Sequence, residues 1–267
     1  MNRRQTFERA AALGLIGTFF ETSAMANTAA SASSQTKLPF TDASDILARL
    51  TDREIPGAVQ FDARMRALIT AAALTPLNAT SVAKRAVAKA IQAGVPALDL
   101  REAVMQAMAY SGLPSVITML EALNEALTEA GLPFPEEKAA VVSDQDRFQK
   151  GLAEQKGIFG PAIDQIHANA KPDERFLMVD LLTGFCFGDT YTRTVLSLKE
   201  RELLTFVVIA AMGGCEPQVK AHATGNILVG NTRQMLIDAI IVMLPYIGFP
   251  KALNALGMVN EAAPAGK

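Results

Sequence analysis

The chain has 267 residues, of which 50% are hydrophobic and 19% charged, and its formal net charge is −2. This composition supplies a sizeable apolar core and excludes an intrinsically disordered chain. Positive and negative residues are interspersed and form no basic stripe, so nucleic acid is not an expected partner.

Residues 1–26 have the features of an export signal. Arg3 and Arg4 give a positive start, an apolar run follows, and Ala24-Met25-Ala26 offers the small-x-small pattern that signal peptidases cleave. The paired arginines also resemble a twin-arginine signal. An ordinary amphipathic helix is the alternative interpretation. We expect a periplasmic or secreted protein with no membrane segment after cleavage, and residues 27–40, rich in Ala, Ser and Thr, predict a flexible spacer.

An internal repeat follows the spacer. Residues 68–126 match residues 204–262 at a constant offset of 136, without a gap. The identical pairs include both apolar residues and helix breakers: Leu68/Leu204, Lys84/Lys220, Gly94/Gly230, Leu100/Leu236, Tyr110/Tyr246, Gly112/Gly248, Pro114/Pro250, Leu120/Leu256 and Asn124/Asn260. Because Gly and Pro set where helices end and begin, the repeat predicts two copies of one helical unit.

Each unit is predicted to contain four helices. In the two units, respectively, the first helix covers roughly 61–75 and 197–212, the second ends at Gly94 and Gly230, the third ends at Gly112 and Gly248, and the fourth begins with a proline. Apolar residues recur at spacings of three and four, and strand alternation is hard to find. The sequence therefore predicts an all-α fold in which two tandem units pack together.

We place the first unit at residues 41–131 and the linker helices with the second unit at residues 132–267. The linker pattern predicts a polar helix at about 143–156, a second helix after Gly160-Pro161, and a third that runs to Phe185.

The segment from Phe185 to His222 holds the concentrated chemistry of the chain. Cys215, Gln218 and His222 are spaced i, i+3, i+7, so one face of a helix presents a thiol, an amide and an imidazole.

Charged and aromatic residues precede this helix. Asp189, Tyr191 and Arg193 lie before an apolar helix whose first turn contains Glu202. Each also has a structural interpretation. Glu202 is favoured there by the helix dipole alone, Arg193 pairs with a nearby carboxylate, and Tyr191 is a core aromatic. His222 has the alternative of a helix-surface histidine, and His167, which belongs to no motif, is interpreted as a surface residue.

Several runs in the same order resemble one family. They are DRFQKGLAEQKGIFG, FGDTYTR, LSLKERELLTFVVIAAMGG, VKAHATGNILVGNTRQMLIDAI and YIGFPKALNAL. Together they resemble the carboxymuconolactone decarboxylase family, which shares its fold with alkyl hydroperoxidase D, and the first unit matches as a degenerate copy. The resemblance implies an all-helical protein that assembles as a homo-oligomer of three or six subunits. It also implies decarboxylation of a small unsaturated lactone without a cofactor.

The resemblance also implies site roles. Arg193 is expected to bind the substrate carboxylate, His222 to donate a proton, and Glu202 to orient the imidazole. Asp189, Tyr191 and Gln218 are expected to complete a polar substrate-binding wall. A metal site is not expected, because the two histidines are far apart and no carboxylate cluster has ligand spacing.

Cysteines separate the alternative functions. The hydroperoxidase branch of the family carries C-x-x-C before the histidine, but here the second cysteine is Gln218. A thiol-dependent peroxidase therefore requires Cys215 alone or with Cys186. The two thiols either form a disulfide or are small buried apolar residues, and the sequence favours the second. A non-catalytic helical assembly module is the third hypothesis.

The first unit has lost the acid–base groups. Its counterparts of Glu202, His222 and Arg193 are Arg66, Ala86 and Gly57. We expect this unit to have a structural role, covering the apolar face of the second unit or contributing to a ring interface.

Overall fold

The computed structural model describes residues 40–264, and within this range the protein is helical and contains no strand. The predicted signal peptide and almost all of the predicted spacer lie outside the described residues. The α-helices are α1 (Thr41–Arg49), α2 (Ile55–Ala58), α3 (Ala63–Leu74), α4 (Thr80–Gln92), α5 (Ala97–Met105), α6 (Met108–Ser111), α7 (Leu113–Glu129), α8 (Arg147–Phe159), α9 (Ala162–Asn169), α10 (Leu198–Met212), α11 (Glu216–Leu228) and α12 (Arg233–Ala262). A π-helical turn, Leu50–Glu54, joins α1 to α2, and the long π-helix, Phe176–Tyr191, precedes α10.

The two units pack around α3 and α10, which are equivalent helices by the repeat and contact each other. Helix α10 begins with a capping box, in which Ser197 accepts from the amide of Glu200 while the Glu200 carboxylate accepts from the Ser197 amide. Every residue from Arg201 to Ala211 is buried. The predicted all-α fold with two tandem units is therefore confirmed, and α10 is its central helix.

The repeated glycines end helices as predicted. Gly112 and Gly248 occupy equivalent positions and both have left-handed backbones, with φ of 83° and 74°. Gly248 divides α12 into two shorter helices. By length and composition α12 qualifies as a membrane span, but this break leaves neither part long enough to cross a bilayer, and much of its first part lies in the protein core.

The units differ at their third helix. In the first unit this helix is interrupted between α5 and α6, and Gln106 and Ala107 form the break. The equivalent segment of α12 is continuous up to Gly248. Because α6 packs against both α10 and the long π-helix, this break places residues of the first unit beside the second.

Two linker helices pack at backbone distance through glycines. A side chain on Gly151 of α8 would overlap the carbonyl of Thr183, and one on Gly188 would overlap the carbonyl of Arg147. The long π-helix also extends to Tyr191, beyond the predicted end at Phe185. The last turns of the π-helix therefore lie against α8 and next to α10 and do not form a loop.

A buried ionic cluster joins the two units. Glu102 of α5 is fully buried and accepts two hydrogen bonds from Arg193, both 2.8 Å long. Arg201 of α10, also fully buried, lies 3.6 Å from the same carboxylate and donates to the carbonyls of Arg193 and Thr194. Burial alone would raise the pKa of Glu102, but the hydrogen bond from Arg193 and the arginine charges outweigh it, so the pKa lies below its ordinary value of 4.5.

Replacing Glu102 with glutamine should destabilise the protein, because the guanidinium groups of Arg101, Arg193 and Arg201 would lose their counter-charge. We expect a loss of about 3–5 kcal/mol in the free energy of unfolding near neutral pH, measured by urea denaturation. Folding lowers the pKa of Glu102, so its stabilisation is complete above pH 4.5 and is lost as the pH falls through the folded-state value. The variant should therefore show a smaller loss of stability below that pH.

The matched control is Glu125→Gln. This carboxylate also pairs with a cation, Lys84, but its side chain is 61% exposed. It should change stability little. Equal effects of the two variants would contradict a structural role for the buried cluster.

Candidate functional site

The centre of the candidate site is a hydrogen bond between two neighbouring helices. His222 Nδ1 of α11 lies 2.8 Å from Glu202 Oε1 of α10. The Glu202 side chain is fully buried, whereas 11% of the His222 side chain is exposed. Nε2, on the opposite edge of the ring, has no hydrogen-bond partner among the described residues. The sequence placed these two residues in one site, and the structure brings them into contact.

Tyr191 completes the environment of the carboxylate. Its hydroxyl lies 2.7 Å from Glu202 Oε2 and 2.8 Å from the hydroxyl of Thr205, and all three side chains are buried. Burial and the neighbouring Glu202 charge raise the pKa of Tyr191 well above its usual value. The phenol therefore stays protonated and acts as a hydrogen-bond donor.

Buried amides fix α11 against α10. Asn226 Nδ2 donates to the carbonyls of Glu202 and His222, at 3.0 and 2.7 Å. Asn231 donates to Asn226 Oδ1 and to the carbonyl of Lys199. These bonds hold the two helices at the spacing that the bond between imidazole and carboxylate requires.

Aromatic rings enclose the imidazole. Phe159, at the end of α8, and Tyr110, of α6, both lie edge-on to His222, with ring centroids 5.8 and 5.5 Å away. The Tyr110 hydroxyl is 3.2 Å from that of Tyr191 and accepts from the thiol of Cys186 at 3.4 Å. Because Tyr110 belongs to the first unit, that unit contributes directly to the site as well as packing against the second.

The structure places two predicted site residues elsewhere. Arg193 donates through two nitrogens to Glu102 in the ionic cluster, and no bond joins it to His222 or Glu202. Its guanidinium is occupied, so the expected carboxylate clamp is not part of this arrangement. Asp189 pairs with Arg147 at 2.6 Å, next to the first turn of α8, and burial raises its pKa.

Cys215 and Gln218 make no hydrogen bond with the imidazole among the described residues. Cys215 is the half-buried residue that precedes α11, and its sulfur lies 3.5 Å from the carbonyl of Gly213. Gln218 is exposed. Both cysteines are free thiols. Burial raises the pKa of the Cys186 thiol to about 12, so it remains protonated near neutral pH.

His167 is not a simple surface residue, as the sequence had suggested. Its Nε2 lies 3.2 Å from the hydroxyl of Thr183, which donates to Gln155. This second buried polar group lies between α8, α9 and the long π-helix and makes no contact with His222.

Sequence reasoning missed Thr205, Asn226 and Asn231, although the repeat contains a signal for them. Their counterparts in the first unit are Ile69, Ala90 and Val95, all apolar. A buried position that is polar in only one of two repeated units is a candidate for function. Gln106, whose counterpart is Val242, carries the same signal, whereas Tyr110 does not, because its counterpart is also a tyrosine, Tyr246.

The arrangement is suited to proton transfer. A buried carboxylate orients the imidazole through Nδ1, and the opposite nitrogen, Nε2, bonds to no other described residue. No cluster of three metal-binding side chains occurs within residues 40–264.

Comparison with known proteins supports this interpretation of the fold. A family model described as the carboxymuconolactone decarboxylase family matches residues 42–125 and 177–261, one region in each unit. Together the two regions cover more than half of the chain. No curated protein matches the chain significantly.

The dyad of Glu202 and His222 depends on Gly225, which lies one turn beyond His222 on α11. A Cβ atom at this position would overlap Glu202 Oε1 and approach Ile158 and Phe159 to 3.1 Å. We expect Gly225→Ala to displace the carboxylate, and the hydrogen-bonded Nδ1 proton of His222 should disappear from the NMR spectrum.

Gly257→Ala is the matched control, because no atom lies within 4 Å of a Cβ at that helical position. It should leave the Nδ1 proton unchanged and stabilise the protein by up to about 1 kcal/mol through helix propensity. Retention of the Nδ1 proton signal in Gly225→Ala would contradict the packing described for the site.

Proposed function

This chain belongs to the carboxymuconolactone decarboxylase family, and from that premise we propose that it decarboxylates a small carboxylated lactone, or performs closely related acid–base chemistry, without a cofactor. One observation carries the proposal: the 2.8 Å bond between His222 Nδ1 and a fully buried Glu202, which leaves Nε2 without a hydrogen-bond partner among the described residues. A proton-transfer group is what loss of carbon dioxide from such a substrate requires.

In the proposed reaction the bond between the lactone ring and its carboxylate breaks, and carbon dioxide leaves. The electron pair of that bond passes into the unsaturated lactone. His222, protonated at Nε2, delivers a proton to the resulting carbanionic carbon and later regains one from solvent. Glu202 stabilises the imidazolium through Nδ1, and Tyr191 holds the second carboxylate oxygen in place.

Peroxidase chemistry has less support. Gln218 replaces the second cysteine of the C-x-x-C pattern, and an amide cannot attack a peroxide. Cys186 cannot substitute for it, because burial raises the pKa of this thiol to about 12. Cys215 alone would have to react, and its sulfur contacts no other thiol among the described residues.

Export to the periplasm or medium, and assembly into a trimer or hexamer, remain parts of this proposal. The N-terminal sequence features support the first, and the family resemblance supports the second.

The direct test is an activity screen of the purified mature protein. Carboxylated unsaturated lactones should release carbon dioxide, whereas organic hydroperoxides with a dithiol reductant should not be consumed. Consumption of hydroperoxide without lactone turnover would replace the lyase proposal with the peroxidase alternative. No turnover of either class would favour the non-catalytic module.

Two substitutions assign the chemistry. His222→Gln should lower turnover by about a hundredfold or more, because it removes the proton donor. His167→Gln, at the only other histidine, should retain turnover.

Cys215→Ser should also retain lyase activity, measured as carbon dioxide release. Loss of activity in this variant, with His222→Gln remaining active, would contradict the acid–base mechanism.

A further inference from the structure

We propose that Phe159, the last residue of α8, is a positioning residue for the candidate site. Its ring keeps water away from the hydrogen bond between His222 and Glu202, and so holds the imidazole against its carboxylate. The value of this cover for catalysis rests on the proposed function. The cover itself is a property of the folded protein and can be measured without a substrate.

Phe159 lies against the dyad at the point where Gly225 leaves room. The ring centroids of Phe159 and His222 are 5.8 Å apart, and the planes of the two rings are inclined at 78°. A Cβ atom on Gly225 would lie 3.1 Å from Cε1 of Phe159 and would overlap Oε1 of Glu202. The phenyl ring and the carboxylate oxygen that bonds His222 therefore lie beside the same small space.

The ring stands between this bond and the solvent. The Glu202 side chain is fully buried, and Ile158, which lies beside Phe159 on α8, is 2% exposed. Phe159 itself is half-buried. A hydrogen bond to a carboxylate weakens when water reaches it, because water screens the charge and competes for the oxygen. Removal of the Phe159 ring would give water a path to Oε1.

The end of α8 fixes the position of the ring. Phe159 packs edge-on to Phe187 of the long π-helix, with ring centroids 6.3 Å apart. Gly160, the next residue, has φ of 67° and ψ of −156°, a backbone conformation open almost only to glycine. The helix therefore ends directly after Phe159, and the ring stays over the dyad.

Helix α8 belongs to neither repeated unit. It lies outside the two regions that the family model matches, 42–125 and 177–261. Both members of the dyad, in contrast, lie within the second region. The linker between the units thus contributes a residue to a site whose acid–base groups come from the second unit.

The first test measures how fast the Nδ1 proton of His222 exchanges with water. Phe159→Ala removes the ring, and we expect the exchange rate, measured by ¹H NMR saturation transfer, to rise about tenfold or more. Phe159→Leu keeps an apolar side chain over the bond and should leave the rate within about twofold of the unsubstituted protein.

Phe148→Ala is the matched control. Phe148 is also a half-buried phenylalanine of α8, and it lies beside the other histidine, His167, with ring centroids 6.5 Å apart. This variant loses the same side-chain volume from the same helix. It should leave the exchange of the His222 proton unchanged, which separates loss of the cover from general loosening of α8.

A second pair of variants displaces the ring without removing it. No atom lies within 4 Å of a Cβ at Gly160 or at Gly157, so alanine meets no neighbour at either position. Gly160→Ala strains the left-handed backbone after Phe159 and should raise the exchange rate, whereas Gly157→Ala lies in regular helix and should not. If Phe159→Ala does not fold, this pair decides the question.

The catalytic consequence is measured with the lactone substrate. Because Phe159 acts through the imidazole, Phe159→Ala should lower kcat about tenfold and change KM little, and Phe159→Leu should restore most of the loss. Phe148→Ala should keep the kcat of the unsubstituted protein.

Equal exchange rates in Phe159→Ala and Phe148→Ala would overturn the inference, even if the protein turns over the lactone. An Nδ1 proton that already exchanges as fast in the unsubstituted protein as in Phe159→Ala would also overturn it. A raised rate in Phe159→Ala alone, in a protein that turns over no lactone, would support the cover and contradict the proposed function.

Discussion

Every residue of helix α10 from Arg201 to Ala211 is buried, and yet the first two of them, Arg201 and Glu202, are charged side chains. A charge taken out of water is tolerated only where counter-charges and hydrogen bonds replace its hydration. Arg201 is satisfied by Glu102, Gln106 and backbone carbonyls, and Glu202 by His222 and Tyr191. The need to satisfy this pair determines which groups surround α10, and those groups form both the junction between the units and the candidate site.

The tandem repeat is used asymmetrically. The second unit carries the imidazole and the carboxylate, and the first unit supplies Glu102, Gln106 and Tyr110 to the surroundings of α10. The degenerate unit is therefore more than a scaffold, although it has lost its own acid–base groups. Its equivalent positions, Arg66 and Ala86, form no comparable pair.

Local signals made most of the fold predictable. Glycine and proline spacing located the helix ends, and the match between residues 68–126 and 204–262 predicted two tandem units. The pairing of Glu202 with His222 could also be predicted, because both residues lie on neighbouring helices of one unit. Hydrogen-bond partners that belong to different units could not be predicted. Arg193 was assigned to a substrate because nothing in the sequence shows that Glu102, 91 residues earlier, lies beside it. The sequence predicts that the linker helix ends at Phe185. In the structure this helix is in close glycine contact with α8 and continues to Tyr191.

The joining of both units in one polypeptide has an evolutionary consequence. In an assembly of identical single-unit subunits, every substitution appears in both halves of an interface at once. Here Gln106 can face Thr205 while the reciprocal positions, Val242 and Ile69, remain apolar. Duplication thus separates two selective pressures, one on chemistry in the second copy and one on support in the first, and each copy is free to diverge under its own.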